Sequence, residues 1–225
     1  MKMLLPDASF RSPTAVAGKS DMRDENIYSA VVVADGANGQ TTVFTVPRGQ
    51  NIPQLGTVTT TPAHQKTFTE LTTNISQAGQ LGAAIGDASV RKIGINIENA
   101  FYDASGVQNS YGAGPQQVSE ILAKTFFQLR IAGKLQIQGP TSFFPASGGE
   151  FGALAGGPAT SVQGVVGNGW PGQLRGLKIP ILVGRTDTVE GIFGVAGGAS
   201  LDFGAAEHPS LVWFNLHALI KGDAR

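Results

Sequence analysis

Residues 125–145 read TFFQLRIAGKLQIQGPTSFFP. Phe127, Leu129 and Ile131 alternate with Gln128 and Arg130; beyond Ala132-Gly133, Leu135 and Ile137 alternate with Lys134, Gln136 and Gln138. Side chains two apart share one face of a strand. The stretch therefore predicts two short strands, each apolar on one face and polar on the other, joined at a glycine turn.

The same pattern recurs on both sides. Residues 27–34 predict a strand with Val31 and Val33 on one face. The turn pairs Asp35-Gly36 and Asn38-Gly39 follow, then a return strand QTTVFTV over residues 40–46, which Pro47-Arg48-Gly49 ends. Residues 64–71 give a weaker strand, and residues 74–88 are mixed and punctuated by glycine. Over residues 91–99, Ile93, Ile95 and Ile97 alternate with Lys92, Gly94, Asn96 and Glu98. Residues 177–183 predict a strand with Ile179, Ile181 and Val183 inward and Pro180 outward, hence an edge position or a bulge. Residues 188–195 and 199–203 add two short strands. Residues 211–220 place Val212, Phe214, Leu216, Ala218 and Ile220 on one face, with Trp213, Asn215 and His217 on the other. One helix is predicted. Gly114-Pro115 opens it, and Val118, Ile121 and Leu122 form its apolar stripe. A helix of two or three turns needs packing to persist. About eight to ten strands at turn-marked spacing indicate an all-β sandwich or barrel.

Composition narrows the class. A chain of 225 residues buries a sizeable core as one large all-β domain or two small ones. Its charged content of 14% lies well below the usual share of about 25%. That sparseness fits a surface covered by partners, and equally a solvated surface built from Thr, Ser, Gln and Asn. Sixteen basic and 16 acidic residues balance to zero, against a strong nucleic-acid footprint. The chain has no cysteine, so disulfides and thiolate metal sites are excluded. No apolar run is long enough to span a bilayer, and the opening MKMLLPDASFRS, interrupted by Pro6 and Asp7, is a poor signal peptide. Residues 1–25 lack periodicity and are assigned to an N-terminal arm, residues 26–225 to one domain. Glycines cluster at 34–39, 148–169 and 194–204, as a fold of short strands and long loops requires. Residues 147–172 form a long small-residue loop that also carries Phe151, Leu154, Val162, Val165 and Trp170.

Candidate chemistry is sparse. His64, His208 and His217 show no metal-ligand spacing. No G-x-S-x-G elbow occurs, so no catalytic residue is assigned. Gly167-Asn168-Gly169-Trp170-Pro171-Gly172 fits G-x-G-x-x-G literally but follows no predicted strand, and Pro171 removes a phosphate donor; it reads as a turn. Asn74-Ile75-Ser76 fits a glycosylation sequon without a secretion signal. Asp103-Ala104-Ser105-Gly106 lacks the alternating carboxylates of a calcium loop. Arg185, Asp187 and Glu190 crowd a strand entrance, as a local ion pair or an inter-subunit contact. Phe126, Phe143 and Phe144 lack the interleaved cations of a base-stacking platform and are read as packing residues.

The order of segments is more specific than any single motif. TFFQLRIAGKLQIQGPTSFFPASGG, a Gly-rich loop ending NGWP, GLKIPILVGRTDTVEGIFGV and LVWFNLHALIKGDAR together resemble jelly-roll capsid proteins of tailless icosahedral, corticovirus-like bacteriophages. The resemblance covers about half the chain, from Thr125 onward, and more faintly VFTVPRGQNIP. It implies an all-β jelly-roll sandwich with one short helix and long Gly-rich loops, a single roll rather than two. It also implies a virion localisation and a structural role without catalytic residues, metal or cofactor. The implied partners are further copies of the chain, other virion proteins and an internal membrane. Low charge and polar uncharged faces suit such repeated packing. Two other readings remain. One is a carbohydrate- or ligand-binding sandwich with Trp170, Trp213 and Tyr111 lining a platform. The other is a cupin-type enzyme, which the scattered histidines disfavour.

Overall fold

The structure, a computed structural model, describes residues 20–58, 66–81, 87–97, 101–102, 108–109, 114–145, 152–154, 163–165, 174–203 and 209–223. Eight strands build the body. They are β1 (Ser20–Val33), β2 (Gln40–Val43), β3 (Asp87–Ile97), β4 (Thr125–Ile131), β5 (Lys134–Pro140), β6 (Arg175–Val183), β7 (Val189–Val195) and β8 (Ser210–Asp223). The helix α1 (Gly114–Lys124) sits between β3 and β4.

Two sheets result. One runs β6-β3-β8-β1, extended past β1 by the parallel two-residue strand Gln54–Leu55; the other runs β2-β7-β4-β5. Within the eight, β1 pairs β8, β2 pairs β7, β3 pairs β6 and β4 pairs β5, all antiparallel. The strands thus form one long antiparallel ribbon, closed at the β4–β5 hairpin and rolled so that alternate pairs fall in opposite sheets. The added neighbours β3–β8 and β4–β7 complete a jelly roll.

The alternating patterns explain the core. Phe127, Leu129 and Ile131 of β4, Val189, Phe193 and Val195 of β7, Ile93, Ile95 and Ile97 of β3, and Val212, Phe214, Leu216, Ala218 and Ile220 of β8 are all buried. Phe214 joins the two layers. Its ring centroid lies 5.1 Å from both Phe127 and Phe193, and Phe144 meets Phe127 edge-on at 5.5 Å. Gly191 of β7 makes this possible, because a Cβ there would come within 2.9 Å of both Phe127 and Val43. The last turn of α1 is tied to the hairpin by hydroxyls. Thr125 Oγ1 donates to the Ile121 carbonyl and lies 2.6 Å from Thr141 Oγ1, so the two ends of the hairpin and the helix meet at one buried point. A second apolar cluster of Ala30, Val32, Ile52, Phe68 and Leu211 covers the outer face of β1 and β8.

Several predicted elements differ. β1 begins at Ser20, so residues 20–25, assigned to an arm, pair with β8 instead. The return strand after Asn38-Gly39 does not close a hairpin. Gly36 and Gly39 take φ of 68° and 81° and swing the chain into the other sheet. There residues 34–37 are held by residues 201–203: Gly36 N–H donates to Leu201, Leu201 N–H to Ala37 and Phe203 N–H to the Asp35 carboxylate. Those bonds replace a ladder, so residues 199–203 form no strand, although Leu201 and Phe203 are buried. β2 stops at Val43 because Phe44 adopts a φ of 66° that drives its ring into the core, where burial outweighs a left-handed cost of about 1–2 kcal/mol. Of the weak strand over residues 64–71, the described part is turn and coil with one bridge, Thr67 to Asn51.

Two apolar residues face the opposite way from the expectation. The β4–β5 register shifts after Leu129, which turns Leu135 to solvent; the β6–β3 register breaks between Gly176 and Ile181, which turns Ile179 out at 77% exposure. The edge position of β6 expected from Pro180 is observed, and the break in pairing ends just beyond that proline.

Candidate functional site

The two flanks of the sandwich are built differently. On the β1–β2 flank, side chains satisfy the strand edge. Tyr28 N–H donates to Asn74 Oδ1 at 2.9 Å, Asn74 Nδ2 donates to the Asn26 carbonyl at 2.6 Å, and Thr73 Oγ1 donates to the Tyr28 carbonyl at 3.0 Å. The Asn74 amide is therefore a structural cap on β1, which explains the Asn-Ile-Ser sequence without a glycan; Ile75 beside it is buried.

This flank carries a rigid turn. Thr69 N–H donates to Thr72 Oγ1 at 2.9 Å, Leu71 N–H to Thr69 Oγ1 at 3.2 Å, and both Thr72 and Thr73 N–H to the Thr69 carbonyl. The Tyr28 hydroxyl donates to the Glu70 carbonyl, and Arg48 Nη1 pairs with Glu70 Oε1 at 2.8 Å. Short hydroxyl side chains bonding nearby backbone produce such turns. The turn displays Leu71 to solvent at 85% exposure.

Glu70 is held below the usual carboxyl range, first by a main-chain hydrogen bond and then by Arg48. A lowered folded pKa stabilises the fold above the unfolded value, and that contribution is lost as pH falls through the folded value. Acid titration followed by NMR will show the turn amides shifting with the Glu70 carboxyl, below the ordinary glutamate range. Arg48→Ala will move that transition upward, and an unmoved midpoint would remove Arg48 from the turn's support.

The β5–β6 flank brings together the edge strands of both sheets. Arg175 ties it at one end, its guanidinium 5.6 Å from the Phe143 ring centroid and 5.8 Å from that of Phe144. Phe144 is core, as expected of a packing residue, whereas Phe143 is half-exposed. Lys134 on β5 and Arg175 and Lys178 on β6 are the charges of these two strands; neither strand has an acidic residue. Leu135, Ile179 and Leu182 are exposed among them. The polar face of the hairpin divides: Lys134, Gln136 and Gln138 are exposed, while Gln128 and Arg130 are half-buried.

The sequence candidates are mostly dispersed or structural. His217 is half-buried on β8, opposite Asn26. Trp213 packs half-buried against the second apolar cluster. Asp187 Oδ2 accepts the Gly184 N–H at 2.8 Å and Asp87 Oδ1 accepts the Arg185 N–H at 2.9 Å, so these carboxylates order the β6–β7 turn through its backbone. Glu190 stands across from Arg130 in the β7–β4 register. His64, Asp103, Tyr111, Trp170, His208 and the glycine run 167–172 lie outside the described residues. Among the described residues, no group of three or more His, Asp or Glu could hold a metal ion, and no helix is long and apolar enough to cross a membrane. Sequence reasoning missed Leu71. Its only local signal is the run of threonines around it, because the display depends on Tyr28 and Arg48, distant in sequence.

No protein-family model, curated protein or solved structure matches this chain.

Proposed function

We propose that this chain is a structural virion protein, a major capsid protein whose copies assemble into an icosahedral shell through capsomers. The observation that carries the reading is the surface of the roll. Large aliphatic side chains stand exposed on both flanks, Leu71 on one and Leu135, Ile179 and Leu182 on the other, in a chain of unusually low charge. Scattered single apolar residues are ordinary on a protein surface, but a grouping at strand edges marks places that a partner covers. A jelly roll offers two such flanks on opposite sides of a flat body, which suits repeated side-by-side packing. The segment order from Thr125 onward adds the resemblance to phage shell proteins; the fold by itself assigns no function.

Purified full-length protein, analysed by sedimentation and negative-stain electron microscopy, should form discrete rings, capsomers or shells. A strictly monomeric species at high protein concentration would overturn the proposal.

A further inference from the structure

We propose that Asn74 guards an edge: it takes, beside β1, the place of a neighbouring strand and so keeps β1 from pairing with a strand of a second copy of this chain. This goes beyond the capsid reading and does not depend on it. β8 fills one side of β1 along its whole length, whereas the other side meets a strand only at Val32 and Val33. In an antiparallel ladder, one residue offers both its N–H and its carbonyl to the same side. Tyr28 offers both to the open side, and Asn74 answers both. The Asn74 main-chain N–H donates to the Tyr28 carbonyl at 3.3 Å, and Asn74 Oδ1 accepts the Tyr28 N–H at 2.9 Å. The side-chain oxygen thus stands where the carbonyl of a facing strand would be. Asn74 Nδ2 extends the cover to the Asn26 carbonyl, and Thr73 Oγ1 adds a second donor to Tyr28.

The position of the guard has a physical reason. Residues 27–33 read IYSAVVV, without charge or proline and rich in β-branched side chains, the composition of a segment that pairs readily with another chain. Before them, Asp21, Arg23, Asp24 and Glu25 place charges on the strand, which discourages pairing there. Beyond them, the N–H groups of Val32 and Ala34 donate to the Pro53 and Leu55 carbonyls, each at 2.9 Å. Residues 26–28 lie between the charged end and the covered end, and Asn74 sits there. A full strand in this place would present an outer edge of its own. The turn over residues 69–73 spends its hydrogen bonds within itself and presents none. Ile75 anchors the guard: its side chain is buried, and its carbonyl accepts the Arg48 N–H at 3.0 Å.

Hydrogen exchange in full-length Asn74→Ala is the test. In dilute solution the Tyr28 amide should exchange about tenfold faster or more, having lost its acceptor. The Phe214 amide, inside β8 between β1 and β3, should match the wild type. Raising the concentration of the variant should restore Tyr28 protection, as a second copy takes the opened edge, with association visible by sedimentation. Asn74→Asp, which keeps an oxygen for the Tyr28 N–H, should protect that amide better than Asn74→Ala does. In the wild type, Tyr28 exchange should not vary with concentration. The guard is overturned if Tyr28 exchange in Asn74→Ala is unchanged, or is faster at every concentration alike. Tyr28 and Phe214 exchange rising together would make Asn74 a support of the whole fold and overturn it too, as would equal exchange in the two variants or wild-type protection that grows with concentration.

Discussion

Phe214→Ala will lower the stability of the roll by about 3–5 kcal/mol, the usual cost of removing a buried phenylalanine ring. The expected value lies toward the upper end, because the ring joins two others from the facing sheet. Phe214 comes from the β8 layer, whereas Phe127 and Phe193, each 5.1 Å from it between centroids, come from the β4 and β7 layer, and Phe127 is itself packed by Phe144. The cavity therefore opens between the sheets, where neither can close without moving as a body. Denaturant unfolding is the measurement. The midpoint should fall with little change in slope, since the slope reports the surface exposed on unfolding. A loss below about 1 kcal/mol would show that the layers are joined elsewhere, since aromatic pairs alone are worth about that much.

Gly191→Ala will also destabilise the protein, by about 1–3 kcal/mol, although alanine ordinarily serves a strand better than glycine does. The added Cβ would stand 2.9 Å from Phe127 and from Val43 and 3.3 Å from Phe44. Phe127 cannot yield, since Phe144 and Phe214 hold its ring from other sides. Gly176→Ala is the matched control. Nothing lies within 4 Å of a Cβ there, so the change should stay within about 0.5 kcal/mol. Equal effects at the two positions would mean that backbone freedom, not crowding, sets the response.

Local pattern carried the strands well. The alternation at Phe127, Leu129 and Ile131 is the burial pattern of β4, and the glycine turn is present at Ala132-Gly133, whose φ values of 49° and 75° are those of a tight hairpin. The same holds for Val212, Phe214, Leu216, Ala218 and Ile220 on β8 and for the helix opened by Gly114-Pro115. What local pattern does not contain is register and partnership. Leu135 and Ile179 were expected inside because alternation was continued through positions where the ladder shifts, and a one-residue slip reverses a strand's faces. Residues 34–39 have the composition of a hairpin turn. They act as a corner because residues 201–203, far along the chain, take their backbone groups. Leu71 was illegible for a related reason. A leucine among threonines reads as part of a strand, and only the bonds from Tyr28 and Arg48 convert it into a displayed side chain.

The ribbon that pairs β1 with β8 also sets a timetable. Ser20 lies opposite Asp223 and Val33 opposite Ser210, so β1 finds its longest partner only when β8, far along the chain, leaves the ribosome. At about 5–20 residues per second, that interval is on the order of ten seconds or more. Throughout it, the nascent β1 lacks the partner that fills one side of its ladder, and an unpaired strand invites another chain. For this protein, the order of manufacture therefore leaves the longest ladder of the roll waiting until β8 has emerged.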